Sequence, residues 1–298
     1  MVNSTLGMNT SDSYLPVEFR WTATFAYSAT TVVGIIGNLM VVAVVLSIKG
    51  MMTATNCYLV SLAVADSLCF VSSIPAELSW MHLPEDVYVF GDFGCRVLTF
   101  LSFLAINASS LSIAAFTLER YIGICHPMQA RLVCSVQRSQ VIIVFIWIFS
   151  ILYNSSWIVL TGLSPLHYVD WPEAQRCTFR MKRDNYKAVF IADIVLFYFI
   201  PFITYIFVYS RIFYVLYKAE SVCGENEVTT PQVSRSFSGN AASRSSRKSV
   251  KSVRMNRSRV QIAKMLIVIV TTFGLCWLPY RALVVFNSFI RTPWIDKW

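Results

Sequence analysis

Charge is what this chain has least of. Asp, Glu, Lys and Arg together make up 14% of its 298 residues, against 56% hydrophobic residues. A soluble domain carries about 25% charged residues, so an ordinary water-facing fold is excluded and a polytopic membrane protein is indicated. Histidine is sparser still: His82, His126 and His167 are scattered, and no Cys/His pair has metal-ligand spacing. No nucleophile and base fall into a catalytic pattern either, which leaves an enzyme reading without residues. The net charge of +9 is not housed in any basic globular module, so nucleic acid is not an expected partner. Also absent is a charged stretch followed by a short apolar core. No cleavable signal peptide is therefore expected, and the first span serves as the targeting signal. Repeated halves and polar rows lining a path, which a transporter or channel would need, are not seen.

What is present is a series of long apolar runs. Spans are expected at about 21–48, 57–80, 95–125, 140–160, 188–217 and 260–290, each long enough for a hydrocarbon core of about 30 Å. Residues 1–20 are polar and hold Asn3-Ser4-Thr5 and Asn9-Thr10-Ser11, two glycosylation patterns usable only on the lumenal side. Residues 218–258 form a basic, Ser-rich loop whose composition suits disorder or a loose helix, with contact with anionic lipid, serine phosphorylation or contact with an acidic partner as its functional readings. After the sixth run only 291–298 remain, and no seventh apolar run follows. Loops on the side of 49–56, 120–138 and 211–264 carry 15 Lys and Arg against 10 on the other side. That bias and the two glycosylation patterns place the N-terminus outside.

The third run organises the rest. It carries Cys95 at one end, Asn107 in the middle and Glu119-Arg120-Tyr121 at the other. At about 1.5 Å per residue, Cys95 to Arg120 covers about 37 Å, so one helix joins both faces of a membrane. An arginine within lipid costs at least about 2.5 kcal/mol at the centre, and Glu119 beside Arg120 can neutralise it. Asn107 lies about 18 Å below Cys95, where its amide offers two donors and an acceptor to a polar ligand.

Other polar residues in apolar runs call for partners. Asp66 should face the interior, with Asn38, Ser109, water or a small cation such as sodium as its partner. Gly34 and Gly37 permit close approach of another helix. Pro201 should kink the fifth run and free the carbonyl of Phe197. Phe273, Trp277 and Tyr280 share one helix face, and Pro279 frees the carbonyl of Leu275, making a hinge. Arg281 needs a partner, with Asp193, a ligand carbonyl or a neighbouring helix available. Cys95 and Cys177 fall on the same, oxidising side and can pair, which would pin the 161–187 loop over the third helix.

Taken in order, Gly37-Asn38, the LAVAD of 62–66, Cys95 with Cys177, the ERY of 119–121, Trp147, Pro201 with Tyr209 and the FGLCWLP of 273–279 resemble rhodopsin-like (class A) G-protein-coupled receptors. The stretches TNCYLVSLAVAD, INASS, ERYIGICHP and WLPYRALVVFNSF are similar to the thyrotropin-releasing hormone receptor family and its invertebrate members. The resemblance implies an all-α membrane protein: a seven-transmembrane-helix receptor bundle of which six spans are present, truncated before the seventh helix. It implies a short neuropeptide ligand, a heterotrimeric G protein of the Gq class, arrestin and receptor kinases as further partners, no cofactor beyond a sodium ion, and a plasma-membrane location. A truncated, non-signalling receptor form is the alternative, along with a receptor for a different neuropeptide.

The family's ligand-binding positions match Phe103, Asn107 and Tyr280, where Phe103 stands in place of the family's tyrosine. Asp193, Trp277 and Arg281 complete the expected ligand set. Glu119, Arg120, Tyr121, Pro201, Tyr209, Phe273 and Pro279 are the expected activation set, and Asn38, Asp66 and Ser109 the sodium-binding polar core. Ser102 occupies the place where amine receptors resemble one another in carrying aspartate, so a monoamine ligand is disfavoured.

Overall fold

A computed structural model describes residues 10, 14–180 and 183–228, together with 268, 270–272, 274–279, 282, 283 and 286. For 183–186, 216 and 219–228 it describes the backbone alone. Within these residues, five helices are long and apolar enough to cross a membrane, and Val270–Pro279 is a shorter apolar helix. The chain is a multi-pass membrane protein.

Helix α1 spans Val17–Ser47, α2 Ala54–His82 and α3 Gly91–Cys125. Thr53 caps α2 by accepting from the amide of Asn56, as a threonine before a helix does. The Gly50 backbone, at φ +87°, allows the tight return between α1 and α2. Pro127 both ends α3 and opens the short helix α4, Pro127–Val133, because a missing N–H costs nothing in a first turn. Helix α5, Val136–Asn154, starts at a Ser135 cap and runs through one distorted turn into α6, Ser156–Leu160, so that the two make a single crossing.

The fifth crossing begins with α7, Arg183–Ile194, widens into a π-helical turn at Val195–Phe199 and continues as α8, Ile200–Val228. This helix runs eleven residues past the expected end at 217, into the segment whose composition suits disorder or a loose helix. The all-α expectation also needs one addition. Thr161–Pro165 and Gln175–Phe179 pair as antiparallel strands β1 and β2, with Leu163 opposite Cys177. Backbone bonds of this kind satisfy a polar segment that lies outside lipid.

Helix α3 is the axis of the bundle. Of its most apolar stretch 56% is buried, against 11% for α1, so α3 is ringed by protein while α1 faces outward. The α1–α2 contact uses one glycine of the expected pair: a Cβ on Gly34 would overlap the ring of Phe70, whereas Gly37 faces open space. Apolar packing forms two layers. The first gathers Tyr58, Ile113, Phe116, Tyr205, Val208, Tyr209 and Ile212, and the second Phe103, Trp157, Leu160 and Phe190. Polar bonds from α3 lie between and around them. In lipid these bonds average only about 0.6 kcal/mol each, so packing carries most of the stability and the bonds set which faces meet.

Candidate functional site

The upper site is built where α3, the fourth crossing and the fifth crossing meet. Asn107, Asn154 and Asp193 have 0%, 0% and 5% of their surface exposed. The Asn107 amide nitrogen donates to Oδ1 of Asn154 at 3.0 Å and to Oδ1 of Asp193 at 2.7 Å. Both of its hydrogens are therefore committed. Both of the donors expected for a ligand are thus used within the bundle in this structure.

Above this polar layer is an aromatic box. Phe103, one turn above Asn107 on α3, stacks on Trp157 with centroids 4.2 Å apart and planes 14° apart. Phe179 of β2 and Phe190 of α7 close the box, 5.8 and 5.1 Å from Trp157 and 5.4 Å from each other. Cys177 and Phe179 lie two residues apart on one strand and so share a face. Cys177 is bonded to Cys95 with Cα atoms 5.6 Å apart, which holds Phe179 over the box. Asp92 strengthens this lid by pairing with Arg96 at 2.7 Å and Arg180 at 3.7 Å and by accepting from the amide of Leu163. Farther out, the hydroxyl and amide of Thr10 bind Asp170 and hold its carboxyl below the usual range.

Of the expected ligand set, the structure brings Phe103, Asn107 and Asp193 together. Trp277 is half-buried, and Tyr280 and Arg281 lie outside the described residues. Asn154, Trp157, Phe179 and Phe190 were not anticipated. For Asn154 the signal existed: an amide deep in an apolar run needs a partner as much as Asn107 does.

Below the site, the backbone opened by Pro201 is repaired. The hydroxyl of Ser110 donates to the carbonyl of Phe197 at 2.6 Å, and Tyr205 donates to the carbonyl of Ser110 at 3.2 Å. The π-helical turn falls on these residues, as expected where a proline removes a ladder bond. Substituting Ser110→Ala orphans a carbonyl that water cannot reach, at a cost of about 1–3 kcal/mol. Purified receptor carrying it should melt lower by about 3 °C per kcal/mol, and Ser110→Thr should melt near wild type. Tyr198 donates to the carbonyl of Gly274 at 3.1 Å, which seats the sixth helix on the fifth.

Asp66 accepts from Ser109 at 3.0 Å, and Asn38 makes no hydrogen bond to it, so one of its expected partners is absent. Trp147 donates to Ser61, which bonds Ser112, tying α5 through α2 to α3. At the opposite end of α3, Arg120 pairs with Glu119 at 3.3 Å, and Ser139 donates to the second oxygen of Glu119 at 3.3 Å. Tyr121 meets His126. Arg120 Nε is buried without a hydrogen-bond partner among the described residues, and the hydroxyls of Tyr209 and Thr117 are also buried. Pro279 is exposed, while Phe273, Asn3 and Asn9 lie outside the described residues.

A disulfide lid over the third helix, an acid-arginine pair at its other end and a proline-opened fifth helix are joined by one decisive comparison. Residues 37–297 match the 7 transmembrane receptor (rhodopsin family). The chain belongs to that family. A family of receptors, not of enzymes, accords with the absence of a catalytic pattern. Among its relatives, the thyrotropin-releasing hormone receptor of Ovis aries is 40% identical over 89% of this chain and 66% of its own length. The thyrotropin-releasing hormone receptor of Gallus gallus is 37% identical over 97% of this chain and 72% of its own. Neuromedin-U receptor 1 of Rattus norvegicus is 33% identical over 93% of this chain and 62% of its own. The chain thus spans about two thirds of the length of the relatives it matches.

Proposed function

We propose that this rhodopsin-family chain belongs to a plasma-membrane receptor, N-terminus outside, for a short neuropeptide resembling thyrotropin-releasing hormone. The observation that carries this reading is the polar layer of Asn107, Asn154 and Asp193 beneath an aromatic box with a disulfide-held lid. A small peptide presents both kinds of group: backbone or terminal amides for the polar layer, and flat or apolar side chains for the box. The relatives named for hormone and neuromedin receptors support the same class. Glycosylation at Asn3 and Asn9 accords with the outward N-terminus.

Signal output is assigned to a heterotrimeric G protein, with the Gq class as the finer expectation, and arrestin and receptor kinases follow as regulators. The ligand shifts a two-state bundle in which the sixth helix, around Trp277 and Pro279, tilts against the fifth, and Arg120 exchanges Glu119 for the G protein. A sodium ion, where bound, would be held by the carboxylate of Asp66 and the hydroxyl of Ser109, hard oxygen donors suited to such a cation.

Asn107→Ala in the full-length receptor tests the site. Thyrotropin-releasing hormone should lose about 100-fold in potency while surface expression stays within twofold, because a buried polar contact to the ligand is lost. Unchanged potency would move the ligand elsewhere.

A further inference from the structure

We propose that Asp92 is a positioning residue: a second anchor for the β1–β2 lid, which fixes the tilt of Phe179 over the aromatic box and with it the time a bound peptide stays. This proposal rests on the peptide-receptor reading above.

A lid tied by one bond still turns about it. The disulfide joins Cys177 of β2 to Cys95 and leaves the hairpin free to pivot there. Leu163 is the strand partner of Cys177 on β1, and its amide donates to Oδ1 of Asp92 at 3.3 Å. Asp92 and Cys95 are three residues apart on α3 and so share a face of that helix. Two facing residues of the hairpin are therefore held by two neighbours on one helical turn. Arg180, directly after Phe179, adds a third point: its amide donates to the carbonyl of Leu160 at 2.8 Å and its guanidinium lies 3.7 Å from the Asp92 carboxylate. Three points fix an orientation where one leaves it open.

The local sequence suits this contact. To reach Asp92, the Arg180 side chain crosses β1 over Gly162, where a Cβ would overlap the guanidinium end. Gly162 is not at positive φ, so it serves the passage of Arg180 rather than a turn. Arg96 carries the same node to the fourth crossing. Its Nε donates to Oδ2 of Asp92 at 2.7 Å, and its Nη1 donates to the carbonyl of Ile158, the residue after Trp157, at 3.1 Å. One carboxylate thus ties the strand that carries Phe179 to the turn that carries Trp157. With its side chain 45% exposed, Asp92 adds little to global stability. What it sets is the angle of the lid.

The test uses full-length receptor in five forms matched for surface level: wild type, Asp92→Ala, Gly162→Ala, Phe179→Ala and the Asp92→Ala/Phe179→Ala double variant. Each is loaded with radiolabelled thyrotropin-releasing hormone, and release is followed after dilution. Asp92→Ala should release hormone about fivefold faster, the ceiling for contacts this exposed, and Gly162→Ala about twofold faster, since it displaces Arg180 and leaves Asp92 in place. The double variant should release no faster than Phe179→Ala, because Asp92 acts through Phe179. Raising salt from about 0.1 M to about 1 M shortens the screening length from about 10 to about 3 Å, so wild-type release should quicken, and release from Gly162→Ala should respond less. Wild-type release from Asp92→Ala, equal salt responses, or a double variant faster than Phe179→Ala would overturn the proposal. Should Asp92→Ala stay inside the cell, Asp92→Asn is judged by the same criteria. A wild-type receptor that holds no hormone removes the proposed ligand, and amide exchange of 161–165 and 175–179 without hormone then decides the role of Asp92: faster exchange in Asp92→Ala upholds it, and wild-type exchange sinks it.

Discussion

Full-length receptor carrying Cys177→Ala is expected to lose most of its cell-surface population and to bind no peptide with measurable affinity. The bond to Cys95 closes a separation of 82 residues, and a loop of that size is restrained by about 4–5 kcal/mol in the chain-entropy picture. That is comparable to a third or more of the stability of a typical domain. The loss is also local. Strand β2 carries Phe179 two residues beyond Cys177, so releasing the strand removes one wall of the aromatic box. The ion pairs from Asp92 to Arg96 and Arg180 cannot replace the bond, because water screens pairs between exposed side chains and they contribute little. Surface labelling and radioligand binding measure the two losses separately. Cys69→Ala, which removes an unbonded thiol in α2, should leave both unchanged. Normal binding by Cys177→Ala would show that the lid does not shape the site.

Arg120→Ala in the full-length receptor is expected to drop hormone-evoked second-messenger output to background while hormone binding persists. Arg120 lies at the opposite end of α3 from Cys95, with Asn107 between, so its removal leaves the aromatic box and polar layer intact. Its guanidinium touches Glu119 and has a buried Nε with no partner among the described residues. A cation held by a single, longish contact is poised to exchange it for another acceptor, whereas a fully satisfied one would not be. Glu119 retains the hydroxyl of Ser139 when Arg120 is gone, which limits the folding penalty. Retained output would place the coupling residue elsewhere, and lost binding would mean that the substitution had disturbed the whole bundle.

Some of the site could be read along the chain. Cys95 and Cys177 were legible because alternation of spans assigns each loop to a side, and only two cysteines fell together on an oxidising one. The freed carbonyl of Phe197 was legible because proline chemistry acts at a fixed offset, but its partner Ser110 was not. Ser110 is one of several small polar residues on α3, and which of them faces the fifth crossing depends on how the helices rotate about their axes. Asn107 stands out in the sequence as a polar residue deep in an apolar run, but its partners do not. As an isolated amide it has two donors to offer, and only its neighbours on two other helices show that both are already used.

The sequence by itself determined that this is a helical membrane protein and that several polar residues inside its apolar runs must seek partners. Hydropathy, proline and side-chain length act locally, so they survive without coordinates. Only the tertiary structure decided which partners they found: Asn154 for Asn107, Ser109 rather than Asn38 for Asp66, and Trp157 for Phe103. In a span that is apolar on every side, no periodicity marks the inward face, and rotation of a helix by one residue, about 100°, would have joined a different set.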